Sequence, residues 1–95
     1  MLASNMYTLQ KQPSQVRKEL ALRFKRVRKA AGFTQAELAE RADVSLGSLR
    51  RFETTGKVSL ENYARLVDSL GRLNELERLC EYDEAAERAK RLLSK

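Results

Sequence analysis

The sequence predicts an all-α domain of about five helices. Three observations carry that expectation. Glycine and proline are sparse, four and one in 95 residues, and the intervals between them are long enough for helices. Within those intervals apolar residues recur at steps of three and four, which places them on one face of a 3.6-residue helix. Several intervals also open on a threonine or serine able to cap free backbone N–H groups. No segment alternates like a strand beyond a few residues, and no internal repeat is evident.

The elements follow in order. Residues 1–13 read as a flexible N-terminal arm closed by Pro13, with Ser14 as the cap of the first helix. Val16, Leu20, Phe24, Val27 and Ala31 form its apolar stripe, opposite Arg17, Lys18, Arg23, Lys25, Arg26 and Lys29, and Gly32 ends it. Thr34-Gln35-Ala36-Glu37 fits a capping box, with Phe33 and Leu38 spaced as a hydrophobic staple. This second helix breaks at Asp43. Ser45 caps a third, with Val44 and Leu49 as staple and Leu49 and Phe52 facing inward. Only Asp43-Val44-Ser45 separates the two, so they meet at a steep angle. Ser59 caps a fourth helix, with Leu60, Tyr63, Ala64, Val67 and Leu70 as its buried stripe and Gly71 as its stop. Asn74 and Glu77 make a box-like start to the last segment. Its stripe is Leu76, Leu79, Tyr82, Ala86, Ala89 and Leu93, either on one helix or with a separate short helix from Asp83.

Composition narrows the function. The net charge is +6, from 19 basic and 13 acidic side chains. It is unevenly placed: residues 1–58 hold 12 basic and 5 acidic groups, whereas residues 59–95 hold 7 and 8. A basic half beside a near-neutral one suits a polyanion-binding surface joined to a packing or partner-binding end, although a solubilising surface would have the same charge. With no histidine and one cysteine, zinc fingers, Cys/His metal clusters and Ser-His or Cys-His catalytic pairs are excluded, and no cofactor is expected. A lone thiol, no span-length apolar run and no leader-like start suggest a cytoplasmic protein away from the membrane.

Two short helices joined by a three-residue turn make a helix-turn-helix, whose second helix enters the DNA major groove. The stretch reads Gln35-Ala36-Glu37-Leu38-Ala39-Glu40-Arg41-Ala42-Asp43-Val44-Ser45-Leu46-Gly47-Ser48-Leu49-Arg50-Arg51-Phe52-Glu53. Ala39 is small where the helices cross, and Leu38, Val44, Leu49 and Phe52 are apolar where a core is needed. This stretch resembles the Cro and lambda-repressor type of helix-turn-helix, the XRE family, and the resemblance extends over roughly residues 16–71. It implies a lambda-repressor-like DNA-binding domain at 14–73, with the motif at 35–53 and a C-terminal helical extension at 74–95. Asp43 stands where the family usually has glycine, but aspartate tolerates the left-handed conformation. Thr54 and Thr55 lengthen the usual spacing to Gly56.

Geometry and resemblance together point to the contacts. Leu46, Gly47, Ser48, Arg50 and Arg51 are the expected base-facing residues: arginine reads guanine, Leu46 a thymine methyl, and Gly47 permits close approach. The expected phosphate contacts are Gln35, which resembles the family's clamping glutamine, and Thr34, Ser45, Thr54, Thr55 and Lys57. The resemblance further implies a structural pair of Arg28, seven residues before Gln35, with Glu53 at the close of the motif.

The family binds DNA mostly as symmetric dimers on half-sites about 34 Å apart, which implies a homodimer and an operator with an inverted repeat. Tyr82, Ala86, Ala89 and Leu93 are the candidates for that contact or for another protein, with Leu76 and Leu79 assigned to the core. Cys80 is expected as a small buried hydrophobe. The phrase from Ser45 to Gly56, followed by Ser59-Leu60-Glu61 and Leu70-Gly71-Arg72-Leu73, is similar to antitoxin subunits encoded beside HipA-type kinase toxins (HipB-like antitoxins). That resemblance implies an autoregulating, nucleoid-associated bacterial repressor with a HipA-like kinase toxin as partner. A phage-type or chromosomal regulator without a toxin is the alternative, and so is a protein-binding module using the motif as scaffold.

Overall fold

A computed structural model describes residues 11–94 of the chain, so the expected N-terminal arm lies, up to residue 10, outside the described residues. The described residues form six helices: α1 (Pro13–Ala30), α2 (Gln35–Ala42), α3 (Leu46–Thr55), α4 (Leu60–Ser69), α5 (Leu73–Glu77) and α6 (Glu84–Leu93). The first four build the core. α1 packs on α3, α2 packs on α3 and α4, and α5 lies against α4. Ala21, Phe24, Leu38, Ala39, Ala42, Val44, Leu49, Phe52, Leu66 and Val67 form one buried cluster. At its centre Phe24, Phe52 and Tyr63 bring α1, α3 and α4 together. The Phe24 and Phe52 rings lie 5.2 Å apart edge to face, and Phe52 and Tyr63 5.6 Å apart in the same manner. This arrangement favours the ring quadrupoles as well as burying area.

The helix boundaries obey local chemistry. The Thr34 side chain accepts from the Glu37 N–H while the Glu37 carboxylate accepts from the Thr34 N–H, closing the capping box. Ser45 and Ser59 accept from the N–H groups of Ser48 and Asn62. Asp43 adopts φ 57 and ψ 46, the left-handed conformation required to turn from α2 into α3. Gly56 ends α3 at φ 76, and the backbone of Arg17 passes so close that an added Cβ would sit 2.7 Å from its carbonyl. The loop after α3 is thereby clamped to α1.

Several expectations are corrected. Pro13 opens α1 at its first position, where a missing N–H costs nothing. Ser14 lies inside the helix, and Gln15 accepts from the Gln12 N–H at the start instead. Val16 and Ala31, at the ends of the α1 stripe, are exposed because the core is shorter than the helix. Leu60 is likewise exposed, whereas the unanticipated Leu66 is fully buried. α5 begins at Leu73 without a side-chain cap, so Asn74 and Glu77 do not form a box.

The C-terminal segment divides. Leu73 and Leu76 pack against the core, but Leu79 is 66% exposed. Beyond Leu76 no core surface is left to hold a continuous helix, and Cys80 turns the chain at φ 58. Cys80 is exposed, not buried. Asp83 then caps α6 by accepting from the Ala86 N–H. None of the described helices is long and apolar enough to cross a membrane.

Candidate nucleic-acid interface

The two short helices α2 and α3 form the motif, and the inward side of α3 determines what its outward side presents. Leu49, Phe52 and Glu53 are buried, one turn apart, and hold the helix against α1 and α2. The opposite side exposes Ser45, Gly47, Arg50, Arg51 and Thr54 to solvent. Leu46, Ser48 and Thr55 are half-buried, and Leu46 packs against the core cluster. Among the described residues, Arg50, Arg51 and Lys57 take part in none of the ion pairs. Their charges are uncommitted within the domain.

Arg28 and Glu53 meet in the interior. Arg28 Nε donates to Glu53 Oε2 at 2.7 Å and Nη2 to Oε1 at 2.9 Å, a bidentate fork, while Nη1 donates to the Phe33 carbonyl at 2.8 Å. Gln35 Nε2 also donates to Glu53 Oε1, at 2.9 Å. The carboxylate thus joins α1 and the first residue of α2 to α3, and Arg28 extends the network to the α1–α2 turn. Two buried charges cost several kcal/mol each in desolvation, so the network serves orientation more than net stability. The Gln35 partnership was not anticipated: the residue keeps one amide N–H uncommitted to Glu53 and remains half-buried at the α2 N-terminus.

The hydroxyl groups divide by what their hydrogens already do. Thr54 and Thr55 donate to the carbonyls of Arg50 and Arg51 at 2.8 and 2.7 Å, and Ser45 donates to Ser48 Oγ at 2.8 Å. Phosphate oxygens only accept, so these three must rotate before they can contact one. Thr34 and Ser48 only accept in the described network and retain their donors. Glu37 beside Thr34 has its carboxyl pKa lowered, by the Thr34 backbone hydrogen bond first and the Thr34 hydroxyl second.

Three residues absent from the expected set complete the surface. Ser59 and Asn62 line a cleft of about 260 Å³ with Ser48, Arg51, Lys57 and Val58, between α3 and the N-terminus of α4. Arg65 donates to the Asp43 carbonyl at 3.1 Å and pairs with Glu61 at the same distance, bracing the turn between α2 and α3. In sequence Ser59 carries only a capping signal and Asn62 no signal. Their place beside Arg51 depends on how α4 folds back.

A family model described as a helix-turn-helix domain matches residues 19–92. No curated protein and no solved structure matches the chain. The matched region takes in most of α1, the whole motif, α4, α5 and nearly all of α6, well over half of the sequence. An exposed, doubly arginine-bearing α3 held by an internal arginine–glutamate fork stands at the centre of that match. The chain belongs to this helix-turn-helix family of the XRE/Cro type, whose members are DNA-binding regulators.

Proposed function

We propose that the protein is a sequence-specific transcriptional repressor which binds an inverted repeat as a homodimer, with α3 in the major groove. The observation that carries this reading is the outward edge of α3, where Arg50 and Arg51 stand exposed and unpaired on a helix fixed from within by Glu53. An arginine fork matches guanine O6 and N7, and Gly47 lets the helix backbone approach the base edges. Ser48 supplies a short donor on the same side. Leu46 contributes through its half-exposed methyl groups. Thr34, Gln35 and the unpaired N–H groups at the start of α2 serve one phosphate. Ser45, Thr54, Thr55 and Lys57 serve the backbone on the other side of α3, with Asn62 and Ser59 beside them.

Selection from a pool of random duplexes tests the reading. The expected product is an inverted repeat whose half-sites are one helical turn apart, and Arg50→Ala with Arg51→Ala abolishes the enrichment. Recovery of unrelated sequences would instead favour a protein-binding module built on the motif. The narrower antitoxin reading adds a kinase-like protein partner, and the phrase from Ser45 to Gly56 favours it. Co-expression with the adjacent reading frame decides that point: a stable complex supports it, and independent elution of the two proteins removes it.

A further inference from the structure

α6 stands apart from the core with its apolar side unpartnered. Leu92 and Leu93 are 66% and 86% exposed, and Ala85, Ala86 and Ala89 are exposed beside them. Spacings of one, three, three and one place these five residues on a single stripe. The segment lacks the sequence character of a solvated connector, since leucines are concentrated where no part of the domain covers them. We propose that α6 packs antiparallel against α6 of a second copy of this chain, which rests on the homodimer reading above and assigns its interface.

Size and charge both select this occupant and this direction. The stripe is small at its N-terminal end, with Ala85, Ala86 and Ala89, and large at its C-terminal end, with Leu92 and Leu93. Inverting a second copy about Ala89 sets Leu92 over Ala86 and Leu93 over Ala85, so the large side chains fill the spaces above the small ones. A parallel pair stacks leucine on leucine and leaves the alanines facing a gap. Charge is divided in the same way: Asp83, Glu84 and Glu87 lie in the first half, and Arg88, Lys90 and Arg91 in the second. Antiparallel pairing sets the acidic half of each copy beside the basic half of the other, with Arg91 level with Glu87 of the second copy. Helix dipoles also favour the acidic start and basic end, but they leave the exposed leucines unexplained. Tyr82, 66% exposed and lining a cleft with Ala85 and Arg88, adds apolar area at the N-terminal end, which a pair of helices about 15 Å long needs.

Cysteine cross-linking of the full-length chain tests the arrangement, with Cys80→Ser removing the native thiol. Ala89→Cys lies on the two-fold axis and forms a disulfide with itself. Leu93→Cys alone does not, but does so when mixed with Ala85→Cys. Sedimentation of Leu92→Asp with Leu93→Asp shows the dimer dissociation constant raised by about 100-fold or more, the loss of two buried leucines per chain, while helix content is kept. Self-cross-linking of Leu93→Cys indicates a parallel pair and overturns the proposal. An unaltered dimer in the double aspartate variant, or a wild-type chain that sediments as a monomer, also overturns it. Binding to the selected duplex is followed in parallel. Intact DNA binding with an unaffected dimer rejects only the interface, whereas the expected cross-links without sequence-selective binding reject only the repressor reading.

Discussion

Arg28 and Glu53 are worth more as partners than as individuals. Removing one leaves the other buried and charged, which costs about 3–5 kcal/mol. Arg28→Ala is therefore expected to lower the denaturant midpoint far more than a joint replacement of both residues by apolar side chains of similar volume. Equal losses in the two variants would show that the pair is not acting as a unit. Arg51 makes the opposite kind of contribution, since its exposed charge supports no packing. Arg51→Ala should leave thermal stability within about 0.5 kcal/mol and cost about 1–3 kcal/mol of binding to the preferred duplex, with relaxed base preference at one position per half-site. Glu37 gives the domain an acid sensitivity. Its folded pKa lies below the ordinary 4.5, so its stabilising effect is complete above that value and is lost as the pH falls through the folded one. Acid denaturation of Glu37→Gln should show a shallower loss over that window, and an unchanged slope would count against the capping box as its source.

Glycine at a helix end has two distinct uses here, and the structure separates them. Gly56 and Gly71 both have positive φ, but only Gly56 has the α1 backbone within 3 Å of where a Cβ would stand. Gly56→Ala should thus be clearly more destabilising than Gly71→Ala, whose cost is the left-handed conformation alone, about 1 kcal/mol. Equal thermal shifts would mean that the loop yields and α1 does not clamp it. This clamp was not legible in the sequence, where Gly56 is only a turn residue. The capped starts of α2, α3 and α4 were legible, because a cap and the stripe after it are local chemistry. So were the buried Leu38, Val44, Leu49 and Phe52. Leu60 and Leu79 were misassigned for one reason: periodicity marks a face but not how far the core extends along it. The Gln35–Glu53 contact escaped because two residues 18 apart in sequence meet only once α2 and α3 have packed on each other.

The molecule is long for its size, with principal extents of 53 × 31 × 22 Å, because α6 extends from a core formed by the first four helices with α5 packed against it. Its charge is divided along the chain, the basic 1–58 half containing the motif and the near-neutral remainder forming the far end. Duplex binding through this surface should weaken steeply with salt as counterions are released, with log K falling linearly in log salt concentration. Loss of Lys57 should reduce that slope because one fewer phosphate is neutralised, whereas loss of the base-reading Arg50 should change sequence preference more than slope. The most direct test is amide chemical-shift mapping of the labelled protein as the selected duplex is added. The residues of α3 from Leu46 to Thr55, with Gln35 and the Lys57–Asn62 segment, should shift together at stoichiometric DNA while α6 stays unperturbed. If the shifts fall instead on the α1 basic face and leave α3 in place, α3 is not the reading helix.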